Sequence, residues 1–182
     1  MKELSLHILD IVQNSRRANA SEIIINISES IKRNEIFIEI KDNGSGIPKE
    51  MLATITDPFT TSRKTRKVGL GLSLLRHHAE LAGGFLKISS KPGKGTKIKA
   101  VFVKNHINLQ PMGDIAGVVK LLLAANPGIE FIYKHSTHKG IFRFSSAEAR
   151  KTLEIENFNN FYLLEQLKSL INENLVEIEA LS

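Results

Sequence analysis

IKDNGSGIP, residues 40–48, ends an alternating apolar and polar run on a carboxylate, Asp42, and then on two glycines two positions apart. The alternation from Glu35 to Lys41 is that of a strand with one buried face. Stopping such a strand on Asp42 and removing the next side chains admits two readings. One is a plain tight turn. The other is a site where something flat lies against bare backbone while one carboxylate oxygen reads its edge. The choice rests on whether the rest of the chain builds the walls of a pocket.

Working outward, SEIIINISE (21–29) alternates in the same way, and the polar segment SESIKRNE joins it to the strand that ends at Asp42. Before it, LSLHILDIVQNSRRANA places Leu4, Ile8, Ile11, Val12 and Ser15 at helical spacing. Downstream, Pro48 opens a short helix, PKEMLATIT, followed by the loop DPFTTSRKTRKVG. The next helix, LGLSLLRHHAELAGG, has Gly83 and Gly84 as C-cap candidates. FLKISS and TKIKAVFVK then make a hairpin around KPGKG. This order predicts an α+β two-layer sandwich, a mixed β-sheet covered on one face by helices.

After Lys104 the pattern restarts, with HINLQP as the candidate linker. MGDIAGVVKLLLAAN reads as a helix, IEFIYKHS and GIFRFSS as a hairpin, and SAEARKTLE and NNFYLLEQLKSLINENLVEIEAL as helices. The expected organisation is therefore one domain over residues 1–104 and a small α/β C-terminal extension over 105–182. Lys134, His135 and His138 fall in the second hairpin and read as a solvated turn. The last helix carries Phe161, Leu164, Leu167, Leu170 and Ile171 along one side, for packing on the first domain or for a partner.

Composition narrows the classes. The 182 residues are 42% hydrophobic with mixed charges, as in a globular protein. No apolar run approaches the ~20 residues that span a bilayer, and the first residues are broken by Asp10, Gln13 and Asn14, unlike a signal peptide. With no cysteine, disulfides, thiolate zinc sites and cysteine nucleophiles are excluded. The expected location is cytoplasmic, with no membrane partner. The net charge of +6 is uneven: residues 1–104 carry 18 Lys/Arg against 10 Asp/Glu, and residues 105–182 carry 7 against 9. Basic residues are scattered along the chain with little aromatic interleaving, so a phosphorylated small ligand is the expected anion and no DNA or RNA partner is expected.

Three further constellations bear on a pocket. His7, Asp10, Asn14 and Arg17 recur at three-to-four spacing as one polar stripe on the first helix. Asparagine is a poor helix-interior residue. Such a stripe is either a solvated face or a site wall, in which Asp10 orients or deprotonates an attacking group, Asn14 offers a hard oxygen to Mg²⁺ and Arg17 meets phosphate. The loop TDPFTTSRKTRKVGLGL is basic and rich in hydroxyls at Thr60 and Thr61. It runs into Gly69 and Gly71 as a helix begins, which suits an anion or a flexible surface loop equally. GLGLSL lacks the third glycine of a dinucleotide fingerprint, and in GKGT Gly95 follows Lys94, so neither a Rossmann site nor a P-loop is present. Last, SSKPGKGTKI makes a hairpin turn through Gly93 and Gly95, next to Thr96.

Taken in order, an Asp/Asn helix, D-x-G-x-G, a P-F-T-T loop into G-L-G-L and G-x-G-T between strands resemble the Bergerat-fold, histidine-kinase-like (GHKL) ATP-binding domain. That domain is shared by DNA gyrase, heat-shock chaperone ATPases, histidine kinases and mismatch-repair ATPases. The resemblance covers roughly residues 1–104 and implies ATP and Mg²⁺ as cofactors. It implies that Asp42 accepts a hydrogen bond from the adenine amine, with Gly44, Gly46 and Ile47 against base and sugar and Thr96 beside Asp42. It further implies Asn14 on Mg²⁺, Arg17 and Lys67 towards phosphate, and Thr60, Thr61, Gly69, Leu70, Gly71 and Leu72 in the lid and helix start.

The departures are informative. Asp10 stands where gyrase-like ATPases have a water-activating glutamate, and is one methylene shorter. Lys67 and Val68 replace the first glycine and following residue of the G-x-G-L-G-L box. TRKVGLGL, GDIAGVVKLL and NPGIEFIYKH also resemble the small ATP-binding proteins encoded beside bacterial iron-only hydrogenases. The resemblance implies an ATP-dependent accessory kinase or ATPase, of which the anti-sigma-factor serine kinases are the nearest enzymatic type, or a regulator of a protein partner. A non-catalytic nucleotide sensor that switches a protein interaction is the alternative, and a second copy of the chain is an allowed partner.

Overall fold

A computed structural model of the chain describes residues 2–52, 55 and 71–181. The elements follow as α1 (Leu4–Arg17), β1 (Glu22–Ser30), β2 (Glu35–Asp42), α2 (Lys49–Leu52), α3 (Gly71–Leu81), β3 (Phe85–Lys91) and β4 (Gly95–Val103). The extension adds α4 (Ile115–Ala125), β5 (Glu130–Ser136), β6 (Ile141–Ser145), α5 (Ser146–Thr152) and α6 (Phe161–Glu177). All six strands form one sheet in the order β3-β4-β2-β1-β5-β6. Among the described residues only β1 and β5 pair in parallel, so the sheet is mixed. The extension therefore continues the sheet of residues 1–104 edge to edge, through seven register positions from Glu22↔Glu130 to Ser28↔Ser136.

The alternation seen in the sequence sets which face is covered. On β1, Ile23, Ile25 and Ile27 point into the core, and on β2 Ile36, Ile38 and Ile40 do the same. Each such side chain contributes roughly 1.5–3 kcal/mol relative to an exposed one. Against this face α1 buries Leu4, Ile8, Ile11 and Val12, and α3 buries Leu72, Leu75 and Ala79. Helix α4 buries residues on nearly every side because it also carries α6 on its back. Leu164, Leu167 and Ile171 of α6 make that contact, and Lys120–Glu165 (2.6 Å) and Lys168–Asp114 (2.7 Å) flank it. Phe161 and Leu170, expected on the same stripe, lie at its margins and are exposed. Among the described residues no helix is long and apolar enough to cross a membrane.

The second hairpin corrects the expectation of a solvated turn. Lys134 and His138 are exposed, but His135 is fully buried. Phe131, Tyr133 and His135 alternate inward along β5, so His135 falls on the core face. There His135 Nδ1 shares a 2.7 Å hydrogen bond with Tyr133 Oη, and Nε2 lies 2.9 Å from Glu29 Oε1. Glu29 also accepts from Lys104 Nζ at 3.1 Å and from the Leu181 N–H at 2.8 Å. Burial alone would raise the Glu29 carboxyl, but these hydrogen bonds hold it below the usual carboxylate range.

Candidate active site

The site is assembled where the end of β2 meets α1. Asp42 is 6% exposed. Its Oδ1 accepts from the Gly44 N–H at 2.9 Å and the Thr96 N–H at 3.1 Å, and its Oδ2 accepts from Ser15 Oγ at 2.7 Å. Pairing of Lys41 with Lys97 explains why Thr96 arrives beside Asp42. Both oxygens are thus pinned in place, while each carboxylate oxygen has room for two acceptor bonds. Ser15 was read in the sequence only as part of the apolar stripe. A hydroxyl on a buried helix face needs a partner, and that was the available signal.

The glycines of residues 42–46 hold this geometry. A Cβ at Gly44 would come within 2.7 Å of the Ala18 carbonyl oxygen, to which the Ser45 N–H donates at 2.8 Å. Gly46 has φ +69°, a left-handed conformation that favours glycine, and its Cβ would meet the Lys91 oxygen at 2.2 Å. The loop is clamped between the end of α1 and the β3–β4 hairpin. Ile47 N–H donates to Ser90 Oγ at 2.8 Å, and Ser90 Oγ in turn donates to the Gly95 oxygen at 2.8 Å. With that proton committed, the 2.9 Å contact between Ser90 and Thr96 has the Thr96 hydroxyl as donor. The turn reading holds for this loop: its glycines are required by packing, and that packing fixes Asp42 at the end of β2.

Three of the four residues of the α1 polar stripe are withdrawn from solvent, and Arg17 is exposed. His7 is 1% exposed, and Asp10 and Asn14 are half-buried. Among the described residues Asp10 Oδ2 and Asn14 Nδ2 are buried atoms without a hydrogen-bond partner. Leaving such a group unmatched costs roughly 1–3 kcal/mol. Arg17 Nη1 donates to Asn14 Oδ1 at 3.2 Å. Gly71, the first residue of α3, sits against this wall so closely that a Cβ would fall 1.7 Å from Asp10 Oδ2. Leu72 is 3% exposed and packs into the core. Thr60, Thr61, Lys67, Gly69 and Leu70 lie outside the described residues. Among the described residues no group of three or more His, Asp or Glu side chains converges to hold a metal ion.

His7 closes the stripe on the side away from Arg17. Its Nε2 is 3.0 Å from Gln110 Oε1, its ring lies 5.3 Å from that of His78, and its Nδ1 is buried with no partner among the described residues. Burial pushes the imidazole from 6.5 down to about 4; the Gln110 hydrogen bond opposes this and His78 adds to it. A group neutral in the fold but protonated in the unfolded chain weakens the fold as pH falls from about 6.5 to about 4. The full drop is worth about 3 kcal/mol. Urea unfolding at pH 7.5 and 4.5 is expected to show that acid-linked loss in the native chain, and His7→Phe is expected to flatten it.

Comparison with known proteins gives the same frame. The family described as histidine kinase-, DNA gyrase B-, and HSP90-like ATPase matches residues 2–106. The signal transduction histidine-protein kinase ArlS of Staphylococcus aureus is 34% identical over 96 residues, half of this chain and 21% of that protein. Sensor kinase CckA of Brucella abortus is 40% identical over 65 residues, 35% of this chain and 7% of that protein. The chain thus spans about a fifth or less of the length of these relatives. Among solved structures, the Aquifex aeolicus MutL ATPase domain complexed with ADP superposes with a TM-score of 0.50 at 15% identity, over 85% of this chain and 70% of the other. The N-terminal domain of a DNA repair protein gives 0.52 at 20% identity, over 80% and 52%. With the matched span covering more than half of the sequence and the same mixed sheet beneath its helices, the chain belongs to the histidine kinase-, DNA gyrase B-, and HSP90-like ATPase family.

Proposed function

We propose that the chain binds Mg-ATP in the cleft bounded by α1, the 42–47 loop and the start of α3, and acts as an ATP-dependent accessory kinase or ATPase, or regulator, of a protein partner. The observation that carries this reading is the pair of buried, unpartnered atoms Asp10 Oδ2 and Asn14 Nδ2, one helical turn apart and beside the Gly71 backbone. Two unmatched polar atoms on one wall call for a polar ligand. The residues fit a phosphate-bound Mg²⁺. That ion keeps several waters and phosphate oxygens and needs only one or two protein ligands, in keeping with the lack of a wider acidic or histidine cluster among the described residues. Asn14 would supply its amide oxygen after a half-turn of the amide, leaving the Arg17 guanidinium free for phosphate. The metal would neutralise charge on the phosphates when bound.

The remaining roles belong to the chain itself. Asp42, fixed by Ser15, Gly44 and Thr96, presents its remaining acceptor capacity to an exocyclic amine, and the Thr96 and Ser90 hydroxyls lie beside it. Asp10 accepts a proton from, or orients, the attacking water or hydroxyl through its unpartnered Oδ2. The complex of the MutL ATPase domain with ADP supports a nucleotide in this fold. The homology to parts of histidine kinases supports the phosphoryl-transfer side of the proposal.

A nucleotide sensor remains a second reading because β5 of the extension is paired along β1, one continuous sheet with the loop that begins at Asp42. Asp10→Asn separates the two. It is expected to cut phosphate release by roughly 100-fold or more while leaving ATP affinity within about threefold. Unchanged release would remove Asp10 from the chemistry. No release from the native chain, with binding intact, would make the sensor the correct reading.

A further inference from the structure

The face of the sheet turned away from α1 and α3 carries a charge pattern that chain order hides. Lys41, Lys87, Lys91, Lys97 and Lys134 lie at outward positions of β2, β3, β4 and β5. Among the described residues none of the five has an ion-pair or hydrogen-bond partner for its ammonium group. The carboxylates of the same face are mostly engaged: Glu35 with Arg33 at 3.4 Å, Glu39 with Lys99 at 3.3 Å and Glu130 with Arg150 at 3.1 Å. Pairing register aligns Lys87, Lys99, Glu39, Asn26, Lys134 and Arg143 as one row across all six strands. The row beside it contains Phe85, Val101 and Phe37, and Phe85 is 53% exposed.

We infer that this open sheet face binds single-stranded nucleic acid, with the free lysines on the phosphates and Phe85 under a base. The chemistry selects among anions. Protein interfaces are poor in lysine and favour Arg, Tyr and Trp, whereas a polyphosphate is held by point charges spaced along it. A row crossing six strands at roughly 4.8 Å apiece spans about 24 Å, enough for several nucleotides of an extended strand. A shallow sheet with an exposed ring suits unstacked bases, which lie flat against aromatic side chains, better than a duplex. Lys99 Nζ already sits 5.7 Å from the Phe37 ring centroid, so Phe85 is the ring left open for stacking. The sequence expectation of no nucleic-acid partner rested on lysines scattered along the chain, whereas the register sets Lys41 opposite Lys97 and puts Lys87 and Lys134 in one row of the same face. The face is opposite the α1–α3 cleft, so this proposal stands apart from the nucleotide reading.

The test uses the full chain without nucleotide and fluorescein-labelled dT20, rU20 and a 20-base-pair duplex, followed by anisotropy. With about four phosphates contacted, affinity for the single strands is expected to fall roughly 50-fold between 50 and 200 mM salt. Lys87→Glu with Lys134→Glu is expected to weaken binding more than tenfold and flatten the salt slope. Phe85→Ala is expected to weaken it about tenfold with the slope unchanged. Lys32→Glu with Lys151→Glu, an equal charge change at exposed positions outside the six strands, is expected to cost less than threefold. A preference between dT20 and rU20 identifies the sugar, and either one bound through these residues supports the proposal. It is overturned by duplex bound as tightly as single strands, by no binding at 50 mM salt, by an equal loss in the off-face control, or by a neutral Phe85→Ala. Poly-L-glutamate competing as well as the oligonucleotides at equal charge would overturn it in favour of an acidic protein.

Discussion

Asp42→Asn is expected to lower ATP affinity by about 100-fold, on the order of 2.7 kcal/mol, while leaving the melting temperature close to that of the native chain. The two halves of this outcome have different causes. In the fold, an asparagine Oδ1 can still accept from the Gly44 and Thr96 N–H groups, and its Nδ2 can donate to Ser15 Oγ in place of the present bond. The internal network therefore survives with one bond reversed. At the ligand, an NH₂ group would stand where the proposed function has the carboxylate oxygen meet the adenine amine, so donor would face donor. A site built to pair with a particular polar group discriminates steeply when that pairing fails. Calorimetry of the variant against ATP, with thermal unfolding in parallel, separates the effects. A variant that binds ATP normally would remove Asp42 from base recognition, and one that unfolds would make its role structural.

Glu29→Ala is expected to destabilise the protein by about 3–5 kcal/mol, a drop in melting temperature of roughly 10 °C for a chain of this size. Its side chain is 1% exposed, and it accepts from His135, Lys104 and the Leu181 N–H at once. Truncation leaves the fully buried His135 without its acceptor and takes one from the partly exposed Lys104 and the Leu181 N–H, and the cost of an unmatched buried donor exceeds the modest net value of a bond. Glu29→Gln keeps one acceptor oxygen and is expected to cost less than half as much. Because the folded Glu29 carboxyl lies below its ordinary 4.5, the stability it gives is present above that pH and is lost as pH falls through the depressed value. This acid loss begins where that of His7 is ending, so the two are separable in a pH series of urea unfolding. A loss below 1 kcal/mol for Glu29→Ala would show that the network adds little to stability.

The positions legible in the sequence were those fixed by local pattern. Alternation placed Asp42 at the end of an inward-facing strand, and helical spacing put Asp10 and Asn14 on one line. The positions that escaped depend on which elements meet. Ser15 bonds Asp42 only because α1 crosses the end of β2. Ser90 joins Ile47, Gly95 and Thr96 only once the hairpin closes against the 42–47 loop. His135 was in principle readable, since Phe131, Tyr133 and His135 alternate. But a histidine beside Lys134 and His138 looks like surface until a buried carboxylate, 106 residues earlier, gives it a partner. The two halves of the chain, separable by pattern at Lys104, share one sheet because β5 finds β1 in parallel, a pairing no local signal marks.

The most direct test of the account is an isothermal titration of the full chain with ATP in excess MgCl₂, with phosphate release followed on the same sample. Saturable binding at one site per chain, about 100-fold weaker in Asp42→Asn and weakened when EDTA removes the metal, is the expected result. No binding up to millimolar ATP would contradict it, and the unpartnered atoms of Asp10 and Asn14 would then need a different ligand.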